Sequence, residues 1–262
     1  MNTVGTLTAS DDKITSYSSK GPTSIDHIVK PDLVAPGNRI VSLTDNNGWL
    51  QQAYPANTVA KSVYMADNGK ASGDYYLLSG TSMSAPMVSG AAAVMIQQNP
   101  SLTPDQVKAR LMKTATKFSP GYGTATDPNT GANFTSEYDI FTIGAGYLNI
   151  TAALQNNDWF TGTALSPTAT YDSNSGNIYL GVNGSAAMWG TAAVWGTASV
   201  WGTNVFVNGS AALWGTGAVW GTAAVWGAST PQAFAAVWGT AAVWGTGQAN
   251  GEATTIAISG DN

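Results

Sequence analysis

Leu78-Ser79-Gly80-Thr81-Ser82-Met83-Ser84-Ala85-Pro86 is the stretch on which the fold of this chain is decided. Gly80 allows a tight turn, and small and apolar residues then run to about Gln98. Met87, Val88, Ala91, Val94 and Met95 fall on nearly every face, a pattern that predicts a buried helix. Ser82 would sit at its N-terminus, where free N–H groups and partial positive charge favour an oxyanion beside the hydroxyl. The plain alternative is a serine N-cap. As a nucleophile the hydroxyl would need a base, and His27 is the one histidine in the chain.

Beyond Asn99-Pro100, which ends the helix, Thr103-Pro104-Asp105-Gln106 reads as the start of another. Thr103 is the N-cap, Pro104 lies in the first turn, and Gln106 closes a capping box. Val107, Leu111 and Ala115 then share one face. Upstream, Thr3 to Leu7 and Ile40 to Leu43 are short β-type runs separated by Pro22, Pro31, Pro36 and Gly37. Strands followed by helices predict an α/β layer.

An apolar fraction of 44% over 262 residues is enough for a real core. Only 10% of residues are charged and the net charge is -5, so a basic surface for nucleic acid or an anionic membrane is not expected. The absence of cysteine excludes disulfides, thiolate metal sites and cysteine catalysis. No apolar run reaches the roughly 18 residues of a membrane helix. The residues after Met1 lack the pattern of a signal peptide.

Gly80-Thr81-Ser82-Met83-Ser84-Ala85-Pro86 resembles the nucleophile signature of the subtilisin-like serine proteases, with Ser84 where the family usually has Ala. Ser18-Ser19-Lys20-Gly21-Pro22 and Pro31-Asp32-Leu33-Val34-Ala35-Pro36-Gly37 are similar to its Ser-Gly-Pro and Pro-Asp-Val-Ala-Pro-Gly segments. Gly144-Ala145-Gly146-Tyr147-Leu148-Asn149-Ile150 resembles a segment near the end of its catalytic domain. The resemblance covers roughly residues 1 to 154. It implies part of a three-layer α/β sandwich around a parallel sheet, a location outside the cell or on its surface, and a triad in the chain order Asp, His, Ser.

Only the serine of that triad matches. Ser82 would be the nucleophile and its N–H one oxyanion donor, while the family's His-Gly-Thr and Asp-Ser/Thr-Gly motifs are not found. His27 lies in the connection to the Pro-Asp-Leu segment, not where the family places its base, and reads as a structural or surface residue. Asp32 reads as a turn acid. The chain alone is therefore expected to be inactive, with base and acid from an N-terminal complementing segment and a peptide or protein as substrate. The resemblance also allows structural calcium in the intact parent, for which Asp11-Asp12 is the candidate here.

Residues 1–155 are thus read as the C-terminal portion of a catalytic domain, 156–181 as a linker, 182–250 as a repeat and 251–262 as a tail. In the repeat, Trp189, Trp195, Trp201, Trp214, Trp220, Trp226, Trp238 and Trp244 mostly recur every 6 residues as Trp-Gly-Thr-Ala-Ala-Val. An even period keeps Trp on one face of an extended chain, and so predicts strands. Val182-Asn183-Gly184 recurs as Val207-Asn208-Gly209, and each Asn-Gly pair is a turn signal. Such a region can be structural, can self-associate, or can present Trp to a polysaccharide. Trp-Gly-Thr repeats also resemble the tails of some bacterial members of the family. The competing expectation is a structural or attachment protein in which the repeat works and the protease part is a relic.

Overall fold

The Thr103 hydroxyl accepts from the Gln106 N–H while the Gln106 side chain accepts from the Thr103 N–H, and this capping box starts one of the two principal helices. The computed structural model describes residues 1–3, 6, 8–44, 48–60, 63–64, 75–116, 122–127, 131–172, 174, 177–181, 205–207, 210–211 and 257–261. The elements in chain order are β1 (Ile40–Leu43), α1 (Trp49–Ala53), a 3-10 turn (Pro55–Asn57), β2 (Thr58–Val59), β3 (Tyr75–Leu78), α2 (Thr81–Gln98) and α3 (Pro104–Thr114). Then follow β4 (Tyr122–Thr126), β5 (Asn133–Glu137), α4 (Ile140–Ile143), α5 (Ile150–Gln155), β6 (Thr168–Asp172), β7 (Asn177–Gly181), β8 (Val205–Val207) and β9 (Ser210–Ala211).

The expected strand at Ile40 to Leu43 is β1. It pairs antiparallel with β3, Ile40 opposite Leu78 and Leu43 opposite Tyr75. Thr3 to Leu7 falls partly outside the described residues, and beside it Asn2 bridges Lys13 antiparallel. The sheet differs from the one the resemblance implies. Among the described residues, the parallel pairings are β7 with β8 and the single bridge of Val34 with Tyr147. The β1-β3-β2 sheet is antiparallel throughout, and α1, the 3-10 turn and β2 lie between β1 and β3 in the chain.

Helices α2, α3 and α5 pack on one another. Met95 of α2, Val107 and Leu111 of α3 and Ala153 of α5 form one core cluster, so the Val107, Leu111, Ala115 face is buried as its spacing predicts. A second cluster joins Met112 to Ile140, Phe141, Val29 and Ala169. The segment after α4 ties these parts together. Val34 donates to Gly146 O and accepts from Leu148, while Thr116 and Tyr147 exchange two backbone hydrogen bonds.

Three expectations change. Helix α2 is not buried all round: only Ala91 and Met95 are, and Val94 and Ile96 are 43% and 44% exposed. Its other faces carry the right residues for burial, yet among the described residues nothing covers them. The segment 156–181 is not simply a linker, because β6 and β7 form in it. Val29 donates to Pro167 O, Ala169 donates to His27 O, and Ala164 and Ala169 enter the core. The tail is anchored too, with residues 257–259 helical and Asp261 buried. Of the repeat, only β8 and β9 are described, in one sheet with β6 and β7. All eight repeat tryptophans lie outside the described residues.

Candidate functional site

Strand β3 ends at Leu78, and Ser79 and Gly80 carry the chain into α2. Ser79 is 2% exposed and its Oγ accepts from the Arg39 N–H. Gly80 has φ 149°, a conformation that a side chain would strain. Its N–H donates to Gly37 O at 2.8 Å and its carbonyl accepts from Met83 at 3.0 Å. The N-cap is therefore Gly80, not a serine. Ser82 is the second helical residue and is exposed.

The surroundings of Ser82 follow from two further residues. Ser84 Oγ donates to Ala35 O at 3.1 Å, which fastens the first turn of α2 to the Val34-Ala35-Pro36-Gly37 loop. Pro86 has no N–H to give the Ser82 carbonyl four residues back, so the ladder is broken at the candidate nucleophile's own peptide. Of the first-turn N–H groups of α2, a helix with no charged residue, that of Met83 is taken by Gly80 O, and those of Thr81 and Ser82 point the helix's positive end toward an anion beside the hydroxyl.

His27 is placed elsewhere in the architecture. It sits at φ 55° in the turn from Thr23 to Ile28, where its N–H donates to Thr23 O and its carbonyl accepts from β6. Ser82 is instead built on the 34–38 loop and β3. Asp32 is a structural acid. Burial opposes its ionisation, but hydrogen bonds from Lys30 and Ser166 and the charge of Lys108 hold its carboxyl below the usual range. It joins its own loop to α3 and to the approach to β6.

Asp11 and Asp12 do not fit a calcium site. Asp11 is exposed and accepts from the Thr6 hydroxyl, whereas Asp12 is buried and hydrogen-bonded to Tyr147. Among the described residues no group of three or more His, Asp or Glu could hold a metal ion. No helix among them is long and apolar enough to cross a membrane. The sequence did not point to Asn38, Asn57 or the 257–261 segment beside Ser79. Their association depends on contacts between distant positions, and no local motif marks it.

The serine at the head of α2 is thus turned by Gly80 and backed by the Val-Ala-Pro-Gly loop, which the Gly-Ala-Gly-Tyr-Leu-Asn segment crosses through Val34, an arrangement of the motifs that mark the subtilisin-like family. The chain belongs to the Subtilase family, Peptidase S8, whose sequence model matches residues 2–146. It is 39% identical over 111 residues to the serine protease AprX of Bacillus subtilis (strain 168), covering 42% of this chain and 22% of that protein. It is 36% identical over 140 residues to a CO(2)-response secreted protease of Arabidopsis thaliana, covering 53% of this chain and 16% of that protein. The chain thus spans less than a quarter of the length of these two relatives. The solved structure of fervidolysin from Fervidobacterium pennivorans, a keratinolytic enzyme related to subtilisin, aligns with 55% of this chain and 18% of its own at 26% identity and TM-score 0.31.

Proposed function

We propose that this chain carries the nucleophile segment of a subtilisin-like serine endopeptidase and is inactive by itself. Ser82 Oγ attacks the carbonyl carbon of a peptide bond and its proton passes to a histidine. The amine then leaves with that proton, and water hydrolyses the acyl-enzyme to restore the hydroxyl. The Ser82 N–H is one donor to the oxyanion. The histidine and its aspartate come from a segment outside these 262 residues, which docks on the exposed face of α2. Without them the serine retains only binding and oxyanion effects, and acylation falls by several orders of magnitude.

The observation that carries this reading is the exposed position of Ser82 in the first turn of α2, in a chain of this family whose lone histidine is built into the turn beside β6. The uncharged, half-covered α2 supports the docking step. An extracellular location is proposed with it. The test is a fluorophosphonate probe applied to the chain alone and to the chain mixed with the N-terminal half of a relative's catalytic domain, the labelled residue being read by mass spectrometry. Ser82 labelled only in the mixture is the expected result. Equal labelling of the isolated chain would overturn the inactivity, and no labelling in the mixture would overturn the complementation.

A further inference from the structure

Residues 257–261, Ala-Ile-Ser-Gly-Asp, begin with a helical turn at 257–259 and lie beside Ser79, at the end of β3. The Ser79 N–H donates to Ala257 O at 2.8 Å. Asn57 Nδ2 donates to Leu77 O of β3 at 2.8 Å and to Ile258 O at 2.6 Å, so one side chain staples strand and segment together. Asn38 and Asp261 exchange two hydrogen bonds, Asn38 Nδ2 to Asp261 O and Asp261 N–H to Asn38 Oδ1, both at 2.8 Å. The Asp261 carboxylate accepts from the Ser16 N–H at 2.6 Å and from Ser16 Oγ at 2.7 Å, and the residue is 2% exposed.

Gly260 fits between these partners because it has no side chain. Its φ is 68°, and a methyl there would come 2.4 Å from Asn38 Oδ1 and 2.5 Å from Ser79 Oγ. The partners therefore read main-chain groups at 257, 258 and 261, a glycine-only position at 260 and an acid at 261. Peptide recognition has this division of labour: main-chain hydrogen bonds hold the ligand, and pockets for particular residues select it.

We propose that Ser16, Asn38, Asn57 and Ser79 form a peptide-recognition cradle, occupied by the chain's own residues 257–261, that accepts a free Gly-Asp peptide only when this segment is displaced. The cradle stands whatever Ser82 does. Because Ser79 immediately precedes Gly80, occupancy also fixes the strand end from which α2 starts. A tethered occupant competes at the effective concentration its connection allows, of order millimolar for a short flexible link and lower for a long one.

The experiment uses the full chain and its Gly260→Val variant, with a fluorescent peptide of the sequence Ala-Ile-Ser-Gly-Asp-Asn and a scrambled control read by anisotropy. G260V should bind the peptide at least about tenfold more tightly than the unaltered chain and should ignore the scrambled one. Equal binding by both proteins, or no binding by G260V, overturns the proposal. If G260V loses its helical circular dichroism, hydrogen exchange on Ser16→Ala decides instead. Faster exchange confined to residues 77–80 and 257–261, with α3 unchanged, supports the cradle, and unchanged exchange in both segments overturns it.

Discussion

Gly37 backs directly onto Ser84: a methyl group on Gly37 would stand 2.1 Å from Ser84 Oγ and 2.8 Å from Gly80 O. The loop that ends in Gly37 and the helix that carries Ser82 are thus in contact through main chain on one side and a single hydroxyl on the other. This closeness allows Gly80 to donate to Gly37 O and Ser84 to donate to Ala35 O.

Gly37→Ala should therefore destabilise the chain by about 1–3 kcal/mol, the usual range for overpacking. Ser84→Ala alone should cost about 0.5–1.5 kcal/mol for the lost hydrogen bond. The double variant should be less destabilised than the sum, because removing Oγ relieves one of the two clashes. Urea unfolding of the four proteins measures this, and additive costs would mean that the two residues do not share the contact.

Ser82→Ala touches an exposed residue, so its unfolding free energy should stay within about 0.5 kcal/mol of the unaltered chain. The same variant should abolish fluorophosphonate labelling in the complemented mixture. Loss of both stability and labelling would instead assign Ser82 a structural part.

Asp32 gives a pH dependence of known sign. Its folded-state carboxyl is held below the ordinary aspartate range, so its contribution is fully present above the unfolded value and is lost as pH falls through the lower folded value. Asp32→Ala should cost about 1–3 kcal/mol at pH 7 by leaving Lys108 and Ser166 without their shared acceptor. Acid titration of stability should be shallower in the variant, and an unchanged slope would remove Asp32 from the list of stabilising acids.

Asp261 should behave in the opposite way. Burial raises its carboxyl above the ordinary aspartate range, with Asp127 adding to the rise and Ser16 and the Met1 amine opposing it. Tyr17, whose hydroxyl donates to Asn38, also faces it. A group with a raised folded value stabilises most below its unfolded value and loses that contribution as pH rises through the folded one. Protection of the 257–261 amides, corrected for intrinsic exchange, should therefore fall as pH rises from acid, and less so in Asp261→Asn.

The parts legible in the sequence were those that local chemistry encodes. Thr103, Pro104 and Gln106 determine a helix start among themselves, and Val107, Leu111 and Ala115 mark its buried face without help from distant residues. Gly80 before Ser82 announced the turn in the same way. Helix α2 misled because apolar residues on every face state what can be buried but not what lies against it. Thr168 to Asp172 was masked by Ser166-Pro167 and by the turn-rich residues after it, and its strand is fixed instead by His27, Ile28 and Val29. The cradle joins positions more than 200 residues apart in Asn38 and Asp261, a separation of 223 that no pattern of neighbours can express.

β6 on one side and Ala257–Asp261 on the other are both held to the first half of the chain by hydrogen bonds, the second of them through a clasp on Asn38 and Ser16. A protease that cuts once between β9 and Ala257 breaks the covalent path but leaves the two pieces joined by that clasp. The nicked protein should migrate as one particle in a native gel and as two fragments in detergent. Once the chain is cut, the far piece leaves only when the clasp is displaced.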